Sequence, residues 1–334
     1  MKKELLASVL VRSGAALALR SLGRWAGVMG LNYHRIGQGH DGPFDRSLWS
    51  ASPEAFDEHL MFLKRHTDVI SVADLSTAIA RKRGRYTLIT FDDGYRDNYL
   101  VAFPILKRHG LTATFFVSTG FLDVPRLPWW DEIAWMVRTS PRRRIELEPY
   151  LSAPIVFDEP DREGAVRALL RAFKTMSSSA TDAYLDAIAS ATESGRYRPT
   201  DVSALWMTWE MVREMRAHGM AIGGHTTDHV VLARLPEAEQ RAQITGCAQR
   251  LQAELGEPMR WFSYPVGGIH AFNEATRRCL VECQVEYAFS YYGGVRTFAD
   301  WDSYDVRRLA IEPEIGSDLF RATVLLPQVF ARIR

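Results

Sequence analysis

The sequence predicts an α/β fold built on a parallel sheet, open or closed into a barrel. Three observations carry that expectation. Short apolar runs alternate with amphipathic segments of helix length along most of the 334 residues. The runs are bounded by Gly, Pro or charged residues, as strands buried on both faces of a parallel sheet are. The composition is that of a folded chain, 47% hydrophobic, 24% charged and 11% aromatic, which excludes disordered and low-complexity classes.

Residues 1–25 read as an N-terminal amphipathic helix, with Leu6, Leu10 and Leu17 at helical spacing and Gly14 as a weak point on the same face. Lys2, Lys3, Arg12, Arg20 and Arg24 against Glu4 make this segment strongly basic. It suits either peripheral contact with an anionic membrane surface or packing on the domain. A cleaved signal is the weaker reading, because Arg12 cuts the apolar run short. No uncharged apolar stretch is long enough to span a membrane as a helix; the chain is expected in the cytoplasm, at most peripheral to the membrane, with a secreted or periplasmic location the weaker reading.

Residues 26–334 follow as one barrel. Strands are expected at Val28–His34, Thr87–Phe91, Thr112–Val117, Met220–Gly224, Trp261–Tyr264, Tyr287–Tyr291 and Val306–Ile311. Helices are expected at Pro53–Arg65, where Ser52 offers an N-cap, and at Asn98–His109, Thr208–His218, Glu237–Leu255 and Asn273–Cys283. From about 125 to 205 the alternation stops. Helical patches there, with no clear strand, read as an insertion over one end of the barrel. The formal net charge of +1 gives no field that points to nucleic acid. Cys247, Cys279 and Cys283 read as packing thiols, too few and too odd in number for a disulfide framework.

The strongest local signal is Thr90-Phe91-Asp92-Asp93-Gly94, two carboxylates where a strand runs into a loop. Functional groups of parallel α/β folds gather at such strand ends. Two adjacent Asp invite a division between metal binding and proton transfer, although Asp-Asp-Gly also suits a plain turn. After a second strand comes His225-Thr226-Thr227-Asp228-His229. Its histidines, four apart, would share one face of a helical turn and one divalent ion. With a carboxylate from the Asp92/Asp93 pair they make an Asp-His-His set with an open position, the layout of a hydrolytic site. Ser263-Tyr264-Pro265-Val266-Gly267 is a third strand end. Its tight turn aims backbone amides at the cleft, and Tyr264 and Val266 are the candidates for oxyanion and substrate contact.

These elements, in this order, resemble the polysaccharide deacetylases of carbohydrate esterase family 4 (the NodB-homology domain). That family's Thr-Phe-Asp-Asp-Gly is matched by Thr90 to Gly94, and its His-(Ser/Thr)-x-x-His by His225, Thr226 and His229. Its Arg-x-Pro-Tyr-Gly is only partly matched, with Ser263 where the arginine would stand. The likeness covers about 28–125 and 205–312, with the insertion outside it. It implies a distorted (β/α)7 barrel that uses one divalent ion, zinc or similar, to remove an acetyl group from an N-acetylated glycan, an exopolysaccharide or a lipid-linked oligosaccharide. It also implies Asp92 as catalytic base and Asp93, His225 and His229 as metal ligands. The ion would lower the pKa of water and, with a backbone amide, hold the oxyanion.

No His follows His270, so the carboxy-terminal Leu-x-Leu-His of the family is missing. Two replacements resemble its exopolysaccharide and biofilm branch. Arg308, in a late strand, would supply the guanidinium absent at Ser263. His34, at the end of the first strand, would serve as general acid. Trp130, in the Trp129-Trp130 pair that opens the insertion, would either stack on sugar rings or pack the insertion against the barrel. His59, His66, His109 and His218 read as solvated. Two other functions remain open: hydrolysis of a non-sugar amide on the same fold, and a carbohydrate-binding protein without turnover.

Overall fold

Seven parallel strands form the centre of the molecule: β1 (Gly27–Tyr33), β2 (Arg85–Phe91), β3 (Thr114–Val117), β4 (Ala221–Gly224), β5 (Trp261–Ser263), β6 (Tyr287–Phe289) and β7 (Arg308–Ala310). They lie in the order β6-β5-β4-β3-β2-β1-β7. The sheet curls until Phe289, at the end of β6, bridges in parallel to Val306 just ahead of β7. The computed structural model describes residues 2–20, 25–39, 42–157, 162–198, 202–313 and 315–331. All seven strands fall where the sequence places them. Two-residue strands at Asp68–Val69 and Arg296–Thr297 extend the sheet beside β2 and β1, and are too short for any periodicity to mark.

Burial explains the apolar runs. Every residue of β1, and every residue of β2 after Arg85, is buried. Along them Val28 and Leu88 join Phe116, Phe289 and Val306 in one cluster. Alternate residues Met29, Leu31, Ile89 and Phe91 pack outward against helices.

The helices used below are α1 (Lys2–Arg12), α2 (Ala15–Arg20), α3 (Pro53–His66), α4 (Phe103–His109), α5 (Trp129–Thr139), α6 (Glu163–Thr175), α7 (Thr181–Thr192), α8 (Trp209–Ala217), α9 (Glu237–Leu255), α10 (Glu274–Glu282) and α11 (Ser317–Leu325). Ser52 caps α3 by accepting from the Ala55 amide, Thr208 caps α8, and Asn273 and Thr276 form a capping box on α10. The helix expected over 98–109 opens instead as a π-helical turn at Asn98–Ala102. Pro104 has no N–H to return to the preceding turn, and Asn98 Nδ2 donates to the His34 carbonyl at 2.7 Å.

The N-terminal segment is two helices, not one. Gly14 takes φ +74°, a left-handed conformation that ends α1. Met1 and residues 21–24, including Arg24, lie outside the described residues. α1 docks on α11: Ala7 is fully buried, and Ser8 Oγ and Arg12 Nε both donate to Asp318 at 2.8 Å. Leu6 and Leu17, on the expected inner stripe, are about half exposed instead (47% and 50%). The break at Gly14 turns the small residues Ala7 and Ala16 inward.

The insertion is helical, as expected, apart from a two-residue antiparallel pairing of Arg144–Ile145 with Ile155–Val156. α5, α6 and α7 share their own cluster, with Ile133, Val137, Leu169, Phe173 and Ile188, and sit on the barrel through Tyr95, Phe121 and Trp206. A bridge from Tyr95 to Trp206 anchors the returning chain beside the Asp-Asp motif.

His59 overturns the expectation of a solvated side chain. It is 6% exposed, its Nδ1 is 3.2 Å from the Tyr33 hydroxyl, and its ring stacks on Phe320 at 3.7 Å. Burial, with the charge of Arg321, pushes its pKa down from 6.5 to about 4. The unfolded chain therefore takes up this proton as pH falls through about 6.5, while the folded chain stays neutral down to about 4. That difference should remove about 2 kcal/mol of stability between pH 7 and pH 4.5. His59→Gln should flatten the fall in urea midpoint. Identical pH dependence in the variant would show that His59 is not the group responsible.

Candidate active site and metal centre

Parallel strands deliver their carboxyl ends to one rim, and the residues singled out in the sequence lie immediately past them. β1 leads into His34, β2 into Asp92-Asp93, β4 into His225, and β5 ends on Ser263. His34, Asp92, Asp93 and His225 line one cavity of about 310 Å3, which also takes in His229, Val266, Tyr291 and residues of α5 and α6.

Asp93, His225 and His229 converge. Their ligand atoms all lie within 4.8 Å of one another, and all three residues are buried. The Nε2 atoms of His225 and His229 stand 3.4 and 3.2 Å from Asp93 Oδ1. That oxygen is buried with no well-formed hydrogen bond of its own, as an atom awaiting a cation would be. Nδ1 of His225 lies 2.7 Å from the Ser263 carbonyl, which orients the ring with Nε2 inward. Burial alone would raise the Asp93 carboxyl. The two imidazoles outweigh it and hold the pKa well below the usual range, so the group is anionic. Two imidazole nitrogens and a carboxylate oxygen suit a divalent ion such as zinc.

The histidines do not share a helical turn, as their spacing had led us to expect. Residues 225–229 form an irregular loop in which Thr226 and His229 take φ +63° and +53°. The loop is pinned by its carbonyls, which accept from Thr119 N (3.3 Å) and Gly120 N (2.8 Å). Asp93 (φ +78°) and Val266 (φ +64°) are left-handed as well. Such strain costs about 1–3 kcal/mol per residue and collects at functional sites.

Beside the triad, Asp92 is gripped by Arg308. Nη1 and Nη2 of the guanidinium reach Oδ1 and Oδ2 at 2.8 Å each, and the arginine is fully buried. Its remaining donors go to Asn32 Oδ1, Ser263 Oγ and the Ser290 carbonyl. Oδ2 of Asp92 also accepts from Ser263 Oγ (3.1 Å) and Asn32 Nδ2 (3.2 Å). Burial would raise the Asp92 carboxyl, yet Arg308 and the nearby imidazoles leave it below its usual value. Gly30 explains the fit, because a Cβ there would lie 2.6 Å from Arg308 Cγ. Ser263 is small enough to leave the guanidinium its place and accepts from its Nη2 at 2.8 Å.

His34 lies on the same cavity, half-buried and edge-on to Tyr291 with ring centroids 5.5 Å apart. Its backbone is fixed from both sides, by the Ser50 hydroxyl and the Asn98 amide. Val266 lines the cavity too. Tyr264 and Trp130 line it as well, with their polar groups engaged elsewhere. Tyr264 stacks on Phe272 at 3.9 Å and gives its hydroxyl to the Tyr304 carbonyl, so it offers substrate no polar group. Trp130 is 4% exposed, its ring packs against His229 at 4.3 Å, and its indole N–H goes to Tyr95. Of its two expected roles, Trp130 takes the packing one, against His229 and Tyr95. Asn32 and Tyr291 escaped the sequence reading. Neither belongs to a motif, and only the register of β1 beside β2 and β7 brings Asn32 to Asp92.

A curled (β/α)7 barrel that gathers an Asp-Asp pair and two histidines at its strand ends is the architecture of a polysaccharide deacetylase. The family described as polysaccharide deacetylase matches residues 80–140 and 152–288, more than half of the chain, and the chain belongs to it. The match runs through most of the insertion, which the motif likeness had left outside, and it omits β1 with His34 and β7 with Arg308. The Bacillus subtilis protein YxkH, named for the same family, is 22% identical over 237 residues, 71% of this chain. The chain spans 55% of that curated relative's length. Among solved structures, the Streptococcus pyogenes deacetylase PplD in complex with acetate aligns with TM-score 0.59 at 17% identity, covering 91% of this chain and 98% of that one. IcaB from Ammonifex degensii aligns at 0.57 and 19%, with the same coverage. A de-N-acetylase from Aggregatibacter actinomycetemcomitans gives 0.54 and 18%, covering 86% and 96%. These identities show a shared fold.

Proposed function

We propose that this protein is a divalent-metal-dependent hydrolase that removes N-acetyl groups from an amino-sugar glycan, either an exopolysaccharide or a lipid-linked oligosaccharide. The observation that carries the reading is one cavity holding the Asp93-His225-His229 triad, the Arg308-anchored Asp92 and His34. A divalent ion held by Asp93, His225 and His229, which we take to be zinc, would polarise an amide carbonyl as a Lewis acid and would acidify water. Every other task falls to this chain. Asp92, fixed by Arg308, Ser263 and Asn32, takes the proton of the attacking water. The Val266 amide, which no carbonyl among the described residues engages, donates to the developing oxyanion. His34 protonates the departing amine, without which amide cleavage stalls on a very poor leaving group.

Metal analysis and acetate release from N-acetylglucosamine oligomers test the reading together. The expected result is one metal per chain, lost in the His225→Ala/His229→Ala variant, and acetate release that stops with it. Stoichiometric metal in that variant, or release only from non-sugar amides, would overturn it. His34→Ala should keep its metal and slow amides on the order of 10²-fold, while activated aryl acetates, which leave without an acid, slow much less. Equal slowing of both would remove His34 from catalysis.

We place the protein in the cytoplasm, peripheral to the membrane. The support is the exposure of Leu5, Leu6, Val9, Leu17 and Leu19 on α1 and α2, in a segment that also carries Lys2, Lys3 and Arg12. Co-sedimentation with anionic vesicles, abolished by Leu5→Asp/Leu6→Asp, is expected. Equal pelleting of the variant would sink the idea.

A further inference from the structure

One wall of the active-site cavity is made by α6, and its chemistry does not match a neutral sugar chain. The helix buries Ala165, Val166, Leu169 and Phe173 in the insertion's own core. Arg167, Arg171 and Lys174 follow one another at i, i+4 and i+7, which places them on a single stripe. All three line the same cavity as Asp92, Asp93, His225 and His229.

The stripe stands out because most other arginines of the insertion are paired. Arg138 bonds to Glu163, and Arg196 to Glu132 and Asp186, at 2.6 to 2.8 Å. Arg171 and Lys174, by contrast, make no ion pair or hydrogen bond among the described residues. The nearest carboxylate to Arg167 is Glu163 at 4.0 Å, already held by Arg138. Two carboxylates also face the cavity. Asp45 accepts from the amide and hydroxyl of Ser47 and offsets the charge of Lys174 only through space, without an ion pair, and Glu312 stands at the exposed edge. Three like charges on one stripe repel each other, and Lys174 is half-buried as well. A bound anion relieves both costs, and guanidinium groups favour carboxylate or phosphate through paired, charge-assisted hydrogen bonds. Neutral hydroxyls and acetamides give them no such advantage.

We propose that the substrate is an N-acetylated sugar with an anionic group, carboxylate or phosphate, near the acetamide, and that Arg171 and Lys174, assisted by Arg167, hold that group. The inference deepens the deacetylase reading and rests on it for the position of the acetamide. The anion has two chemical sources, a uronate within a polymer or the diphosphate of an activated precursor.

Calorimetric titration of the full chain, stripped of metal so that no turnover occurs, separates the possibilities. The probes are a hyaluronan hexasaccharide for the uronate, UDP-N-acetylglucosamine for the diphosphate, and chitohexaose as the neutral chain. At least one acidic probe should bind on the order of tenfold or more tightly than chitohexaose. That ratio should fall to about one in Arg171→Gln/Lys174→Gln, and preference for one acidic probe names the source. The single Arg171→Glu, at an exposed position without partners, should shrink the ratio even if the double variant fails to fold. Equal binding of acidic and neutral probes by the wild type, or a preference that survives these variants, would overturn the proposal. Because binding is read without catalysis, failure of acetate release leaves this result standing, and the reverse also holds.

Discussion

Asp92→Asn is expected to keep its full complement of metal and to lose on the order of 10²-fold or more in kcat. Asn preserves the shape of the side chain, and its one oxygen, at the Oδ2 position, can still accept from Arg308 Nη2, Asn32 and Ser263, while the bond from Arg308 Nη1 to Oδ1 is lost. What disappears is the ability to take a proton. The neighbouring Asp93→Asn should fail differently, because it removes the anionic ligand whose Oδ1 lies 3.2 to 3.4 Å from both imidazoles. Metal content and single-turnover acetate release, measured on both variants, separate the two roles. Equal metal loss in both would mean that the adjacent carboxylates do not divide the work.

Arg308→Met should be among the most destabilising single changes in the molecule. The guanidinium is fully buried and makes paired 2.8 Å contacts with a carboxylate that is itself 3% exposed. Removing it strands a buried charge, which costs about 3–5 kcal/mol. Adding Asp92→Asn to Arg308→Met should recover a large part of that loss, because the stranded charge is then gone. Urea unfolding of the two single variants and the double closes the cycle. Independent, additive effects would mean that the pair does not act as the geometry requires.

Much of the fold was legible because it depends on local pattern. All seven parallel strands lie where short apolar runs meet Gly, Pro or charge. α9 matches its expected bounds at Glu237–Leu255, and Ser52 caps α3 as read. The Asp93-His225-His229 cluster was legible for a related reason. Each ligand lies just past a strand, and parallel strands bring such positions to one rim whatever their distance in sequence.

What stayed hidden depends on how elements meet. His59 sits at helical spacing like any surface histidine, and its burial follows only from α11 closing over α3. Tyr264 and Trp130 belong to the right segments, but packing partners fix which way each ring turns. The 225–229 loop reads as a helical turn from its four-residue spacing. Instead, the amides of Thr119 and Gly120 draw its carbonyls into a strained path.

By itself, then, the sequence determined the α/β class, the strands, the helices that cap and terminate themselves, and the identities of Asp92, Asp93, His225 and His229 as one chemical set. These follow from periodicity and from residue types adjacent along the chain. Only the tertiary structure decided that Arg308 closes on Asp92 across Gly30 and Ser263, and that α6 lays its cationic stripe along the cavity. The reason is physical. Register between strands and the docking of an inserted helix are set by complementary surfaces far apart in the chain, and no local pattern records which surface will be met.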